Sequence, residues 1–196
     1  MSDPVYAEKY AEGAEPGDIL GKAKQALDAR HVTGLGGWSV GGGAMYRPQF
    51  DRTLGGAEIA FERYPQNWLS HRVGVASYLS DEEGFVGAEA GLRAQLPSRI
   101  APFVGVGGFA GASRTVRDTP DGIDNDDDDV IDEPDEKRSD VDDLLVAIYP
   151  ELGVHAWING QWRATVGARY FNTSLSSDYD DWMIGGQLTF FPKRIH

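Results

Sequence analysis

The sequence predicts an all-β fold, an eight-stranded antiparallel up-and-down transmembrane β-barrel preceded by a short helical or irregular segment. Three observations predict it. Eight segments alternate apolar and polar residues with a period of two, compact and longer connections alternate between them, and glycine, at 25 of 196 residues, is well above average usage. No run approaches the roughly 18 consecutive apolar residues that a transmembrane helix needs.

The chain is long enough for one domain and too short for two of ordinary size. We predict a barrel domain at 33-192 after a polar segment at 1-32. Apolar residues at helical spacing predict a short helix at 18-30, and a frayed terminus is the alternative. The first residues, Met1 to Pro4, lack the basic and apolar regions of a signal peptide, so an exported chain would have lost its signal peptide.

The predicted strands and their connections follow a regular plan. The connections at 65-70, 97-100 and 159-160 are compact, whereas those at 49-53, 80-84, 117-142 and 173-180 are polar or acidic. Membrane barrels have short turns on one side and longer loops on the other, and every connection falls on the expected side. The eight strands are 33-48, 54-64, 71-79, 85-96, 101-116, 143-158, 161-172 and 181-191.

Each strand has one apolar face and one polar face. In the strand at 85-96 the apolar face runs from Val86 to Leu96, and the other face carries Glu89 and Arg93. The apolar face would suit lipid, but a soluble barrel would turn it inward, so alternation alone does not decide. The polar faces are rich in Arg, Glu and Gly, and no lysine occurs between residues 33 and 116. This composition favours a closed interior with paired charges over a water-facing surface.

The polar faces therefore predict a charged network inside the barrel. Eight strands enclose a space that side chains fill, so such a network would leave no open channel. The predicted interior residues are Glu58, Glu62, Arg72, Glu89, Arg93, Glu151, His155, Arg163 and Arg169.

Aromatic residues near the strand ends predict two girdles at the headgroup level of a bilayer, where Trp and Tyr are enriched. They are Trp38, Tyr46, Trp68, Tyr78, Trp157, Trp162, Tyr170 and Trp182.

The last strand reads D-W-M-I-G-G-Q-L-T-F-F from Asp181. Its Gly185-x-x-Leu188-x-Phe190 pattern resembles the C-terminal targeting signal of bacterial outer-membrane β-barrels, although Pro192 to His196 extend beyond it. With the eight strands and the loop asymmetry, the chain is similar to the small OmpA, OmpX and OmpW type barrels. The resemblance implies a bacterial outer-membrane location with outer-membrane lipid as a partner. The filled interior favours a structural or surface-interaction role, with a surface or envelope protein as a further partner, over a general porin.

Most of the net charge of -13 lies in one segment. Asp118 to Asp143 contains fourteen Asp or Glu residues against Lys137 and Arg138, which gives that segment a charge of -12. The rest of the chain is nearly neutral, so nothing in it favours nucleic acid as a partner.

The centre of this acidic segment contains a motif. From Asp121 to Glu133 it is similar to the D-G-x-D-N-D-x-D-G-x-x-D-E calcium repeat of extracellular bacterial proteins, with Asp129 in place of the second glycine. Ca²⁺ takes six to eight oxygen ligands, which alternate carboxylates of a tight loop supply. The resemblance implies Ca²⁺ as a loop-bound cofactor, and a solvated acidic loop is the alternative. The implied ligands are Asp121, Asp124, Asp126, Asp128, Asp132 and Glu133.

The predicted protein is not an enzyme. With no cysteine it has neither disulfides nor thiolate metal sites. A lipid A deacylase or acyltransferase is the enzymatic alternative, but His155 is followed by Ala156 and Trp157 where the deacylase family has His-x-Ser. A narrow pore, or a soluble barrel that binds small ligands, would also be compatible with the sequence.

Overall fold

The computed structural model describes residues 20, 28–29, 32–47, 51–117, 138–174 and 180–192, and side chains in all of these except 116–117 and 138–143. Most of the predicted helix at 18-30 and the centre of the acidic segment lie outside the described residues. Within them, no helix is long and apolar enough to span a membrane.

Eight antiparallel strands close into a barrel, as the sequence predicts. Each strand pairs with its neighbour in the chain, and β1 closes the barrel by pairing with β8. The strands are β1 (Gly36–Arg47), β2 (Arg52–Gln66), β3 (Leu69–Leu79), β4 (Glu83–Gln95), β5 (Ile100–Arg117), β6 (Arg138–Trp157), β7 (Trp162–Thr173) and β8 (Asp181–Phe190).

The barrel has two distinct ends. The connections β2–β3, β4–β5 and β6–β7 are short and lie at one end, which we call the short-turn end. The longest connections, β5–β6 and β7–β8, lie at the opposite end, the long-loop end. Because β1 starts at the short-turn end, the N-terminal segment also enters there.

Most strand boundaries differ from the prediction by one to three residues, and the largest difference is at the start of β6. Strand β6 begins at Arg138, whereas the sequence pattern placed its start at residue 143 and gave 117-142 to a loop. Past a bulge between Ala112 and Arg114, the ladder with β5 continues to the Arg117–Arg138 pair. Backbone pairing therefore extends into sequence that lacks apolar alternation, which is why the period-two pattern could not reveal it.

Close approach at the closing seam explains the glycine clusters of β1 and β8. Gly42 pairs with Gly186, and Gly43 pairs with Gly185. A Cβ atom added at Gly43 would overlap the carbonyl oxygen of Ile184. Glycine is required there because backbone atoms occupy the space of a side chain.

Replacing Gly43 by alanine should weaken barrel closure. We expect the free energy of unfolding to fall by about 1–3 kcal/mol, because the added methyl group must displace backbone. Gly160→Ala is the matched control, since a Cβ there meets nothing within 4 Å. Urea unfolding of the detergent-refolded variants measures the free energy of unfolding of each. Equal losses in the two variants would contradict the requirement for glycine at the closing seam.

Candidate functional site

All nine predicted interior residues point into the barrel. They lie on β2, β3, β4, β6 and β7, and none is more than 7% exposed. The opposite parity of the same strands carries exposed apolar side chains such as Val73, Leu92, Ile148, Leu152 and Val166. This arrangement is the reverse of a soluble barrel, which buries its apolar face and hydrates its charges.

The eight charged members form one connected set of ion pairs, which we call the interior network. Near the short-turn end, Arg163 binds Glu62 through two nitrogens at 2.7 and 2.5 Å. Arg93 lies 3.8 Å from Glu62 and binds Glu151 at 2.8 and 3.1 Å. Arg93 therefore joins the Arg163–Glu62 pair to the centre of the barrel.

The network continues toward the long-loop end. Arg169 binds Glu58 at 2.7 and 3.2 Å and lies 3.4 Å from both Glu89 and Glu151. Arg72 binds Glu89 at 2.7 and 3.3 Å and lies 3.6 Å from Glu58. The four arginines face four glutamates, so the network is neutral as a whole, which a low-dielectric interior requires. It contains Glu58, Glu62, Arg72, Glu89, Arg93, Glu151, Arg163 and Arg169.

Neutral side chains outside the nine predicted interior residues extend the network. Arg72 donates to the Tyr149 hydroxyl at 2.8 Å, and that hydroxyl donates to Glu89 at 3.2 Å. The Tyr64 hydroxyl accepts from Arg163 and donates to Gln95 at 3.0 Å. Both tyrosines share the inward parity of the glutamates on their strands, and this parity was the signal available in the sequence.

His155 lies within this interior without any exposure to solvent. Its ring stacks on Phe103, with centroids 4.3 Å apart, and its Nδ1 lies 2.8 Å from the Thr165 hydroxyl. The buried Ser39 of β1 donates to the carbonyl oxygen of Ala60 at 3.2 Å. The structure thus places His155 against an aromatic ring and a threonine, at a buried position.

An apolar layer closes the short-turn end below the network. Ala29 and Val32 of the N-terminal segment pack on Tyr64, Trp157 and Phe191 and are 2% and 0% exposed. The Ala29 amide donates to the Pro97 carbonyl at 3.2 Å, which ties the segment to the β4–β5 turn. The N-terminal segment is therefore part of the wall that separates the network from water.

Aromatic rings close the long-loop end. Tyr78, Phe85, Phe109 and Phe171 contact one another with centroids 4.9 to 6.5 Å apart. Above them Arg47 pairs with Glu83 at 2.8 Å and with Asp181 at 3.1 Å. The network thus lies between two plugs.

The barrel interior is filled. A cavity of about 20 Å³ beside Gln187, Arg93 and Glu151 has room for about one water molecule. The described part of the chain forms no open channel along the barrel axis, because the two plugs and the network occupy it.

The outer surface carries two aromatic girdles. Trp38, Trp68 and Trp162 are exposed at the short-turn end, and we call them the lower girdle. At the long-loop end, Trp182 is exposed and contacts Tyr170 in a tilted arrangement, with ring centroids 5.3 Å apart, near the exposed Tyr46.

The prediction was wrong for two residues of the girdles. Tyr78 and Trp157 point inward and are 1% and 6% exposed. They share the parity of Arg72 and Glu151 on their strands, so strand register excludes them from the outer face.

The six implied calcium ligands, Asp121, Asp124, Asp126, Asp128, Asp132 and Glu133, lie outside the described residues. Within the described ranges, no group of three or more His, Asp or Glu side chains is placed to hold a metal ion.

Several solved structures share this fold. The N-terminal β-barrel domain of Pseudomonas aeruginosa OprF matches with a TM-score of 0.51 and 10% identity, over 82% of this chain and 98% of that one. Neisserial surface protein A, NspA, matches with a TM-score of 0.55 and 10% identity, over 79% and 94% of the two chains. No family model and no curated protein matches the sequence. At this identity the similarity shows a common fold, that of the small eight-stranded outer-membrane barrels.

Breaking one pair of the network should be costly. We expect Arg163→Met to lower the free energy of unfolding by about 3–5 kcal/mol, because Glu62 would keep a buried charge without its bidentate partner. Adding Glu62→Leu should restore most of the loss, because both charges are then removed.

Denaturant titration in micelles measures these variants. Arg52→Met is the control, since Arg52 pairs with Glu82 on the surface and such pairs contribute about 0–1 kcal/mol. A loss at Arg163 no greater than at Arg52 would contradict a buried network.

Proposed function

We propose that this chain is a non-catalytic barrel of the bacterial outer membrane, with a structural or surface-interaction role. Its short turns face the periplasm and its long loops face outward. The single observation that carries the proposal is the outward apolar surface between two aromatic girdles, combined with a neutral ion-pair network inside. Exposing this apolar surface to water would cost free energy, whereas lipid solvates it.

The dimensions of the apolar surface support this proposal. Trp38 and Tyr46 are eight residues apart on β1, as are Trp162 and Tyr170 on β7. Eight residues of strand span about 26 Å, and a tilt of about 40° reduces this to a height of about 20 Å. The side chains of the girdles extend it toward the roughly 25 Å apolar band of outer-membrane barrels.

The filled interior favours a structural or surface role over a pore. The two plugs leave no continuous path for ions among the described residues. The buried His155 gives no support to a lipid A-modifying enzyme, since a lipid substrate would have no access to its ring.

The two structural neighbours support the same assignment. Both are barrels of the outer membrane, and one of them is described as a surface protein. Because their identity to this chain is 10%, they support the location and leave the partner open.

Charge placed on the lipid face tests the proposal. Val166 lies midway between Trp162 and Tyr170 and is 64% exposed. Val166→Arg should destabilise the bilayer-inserted protein by about 2–4 kcal/mol, the cost of an arginine at the midplane. Ile158→Arg, beyond the end of β6, should cost about 0–1 kcal/mol, as expected near the interface.

Folding into lipid vesicles at graded urea measures both variants. A soluble barrel would tolerate Val166→Arg at least as well as Ile158→Arg and would fold without lipid.

The acidic segment supports a second element of the proposal, a calcium site on the outer loop. The motif at Asp121 to Glu133 is the observation that favours it, since Gly122, Asn125 and Val130-Ile131 go beyond a simple acidic run. Extracellular calcium modules bind at about 10⁻⁴ to 10⁻³ M, and the external medium would supply the ion.

Calorimetric titration with Ca²⁺ tests this site. We expect a dissociation constant of about 10⁻⁴ to 10⁻³ M, loss of binding in Asp124→Asn/Asp126→Asn, and no loss in the control Asp81→Asn. Chelation should leave barrel stability unchanged, because the ladder is closed without the loop. If the wild-type titration releases no heat up to about 10 mM Ca²⁺, which is tenfold above the weakest expected dissociation constant, the calcium site is refuted. The segment would then be a solvated acidic loop.

A further inference from the structure

Two basic side chains lie next to the lower girdle on the outer face. Arg63 of β2 and His71 of β3 are direct cross-strand partners. Arg63 is exposed and His71 is half-buried, and both share the outward parity of Val73. Direct partners place their Cβ atoms about 5 Å apart, so one small anion can contact both side chains.

These two side chains carry no counter-charge among the described residues. Neither forms a salt bridge there, and the other cross-strand partner of Arg63 is Gly36, which has no side chain. The nearest glutamate in sequence, Glu62, points inward and binds Arg163. The guanidinium of Arg63 therefore presents its donors to whatever surrounds the barrel.

At the long-loop end, an exposed arginine of the same strand has a counter-charge. There Arg52, the basic residue that begins β2, forms a salt bridge with Glu82. The described residues of that rim also include Asp51, Asp81 and Asp180. Among the residues whose side chains the structure describes, the outward basic pair of cross-strand partners, Arg63 and His71, lies at the short-turn end.

The aromatic neighbours of Arg63 and His71 indicate how deep these two side chains lie in a bilayer. Trp38 packs edge-on against Phe61 with centroids 5.4 Å apart, and these two residues are cross-strand partners. Arg63 lies two residues beyond Phe61 toward the turn that holds Trp68, which is about 7 Å along the strand. A girdle marks the headgroup level, so Arg63 lies at the phosphate depth of the adjoining leaflet.

We propose that Arg63 and His71 form a binding site for the phosphate of an anionic phospholipid headgroup in the leaflet at the short-turn end. The planar guanidinium donates two hydrogen bonds to the phosphate oxygens, and an imidazole N–H donates a third. The Trp38–Phe61 pair contacts the glycerol and the first methylenes of the lipid. This proposal rests on the proposed function, because it requires the apolar surface to lie in a bilayer.

Native mass spectrometry of the protein released from nanodiscs of phosphatidylglycerol and phosphatidylcholine in equal amounts tests the site. We expect wild type to retain phosphatidylglycerol in preference. Arg63→Gln should weaken that retention about fivefold, the effect of one basic residue at an anionic surface. His71→Ala should reduce it less, because it removes a single donor.

Arg99→Gln is the matched control. Arg99 is exposed at the same end but lies in the β4–β5 turn, so its loss changes the net charge equally without touching the site. Equal losses in Arg63→Gln and Arg99→Gln, or none in either, would overturn the site. Circular dichroism checks that each variant retains its strands.

Two further outcomes are informative. Inorganic phosphate in large excess should leave lipid retention unchanged, whereas displacement would show a free-anion site and overturn the lipid assignment. Wild type that inserts without lipid preference would refute this site alone. Wild type that fails to insert into the nanodiscs would refute the proposed function together with it.

Discussion

The structure depends on a set of buried ion pairs with no excess charge. Four arginines and four glutamates lie in the centre of the barrel, each at most 7% exposed. Burying an ion costs several kcal/mol, which its partner offsets only if the geometry is good and the remaining donors and acceptors are satisfied. The bidentate pairs Arg163–Glu62 and Arg93–Glu151 and the bridging hydroxyls of Tyr64 and Tyr149 meet most of that condition. The Nε atoms of Arg72 and Arg163 have no hydrogen-bond partner among the described residues.

This interior determines the rest of the molecule. With the charges inside, the alternate positions of every strand must face outward, and in this chain most of them are apolar. The plugs at the two ends keep water from the network, which strengthens each ion pair because the local dielectric stays low. The N-terminal residues Ala29 and Val32 belong to this seal, so the segment before the first strand contributes to the core. A filled polar interior and an apolar exterior are thus two consequences of one strand alternation.

Much of this arrangement was readable in the sequence, because a strand shows its two faces as a period of two. Glu89 and Arg93 share a parity, which predicts a common face before any pairing is known. Tyr78 and Trp157 also share the inward parity of the charged residues on their strands, which excludes them from the outer girdles. The prediction placed them there because they are aromatic. The start of β6 at Arg138 could not be predicted, since backbone pairing there needs no apolar pattern. Which glutamate meets which arginine depends on the stagger of the closed barrel, and no local pattern encodes it.

The orientation of the two faces is the central claim, and site-directed spin labelling tests it most directly. The chain contains no cysteine, so Val166→Cys and Ser98→Cys each give a unique label. In lipid vesicles, a label at Val166 should collide with dissolved oxygen and be protected from a water-soluble paramagnetic reagent, whereas a label in the turn at Ser98 should meet the water-soluble reagent. If the water-soluble reagent reached Val166 as readily as Ser98, the apolar face would lie in water and the account would be wrong.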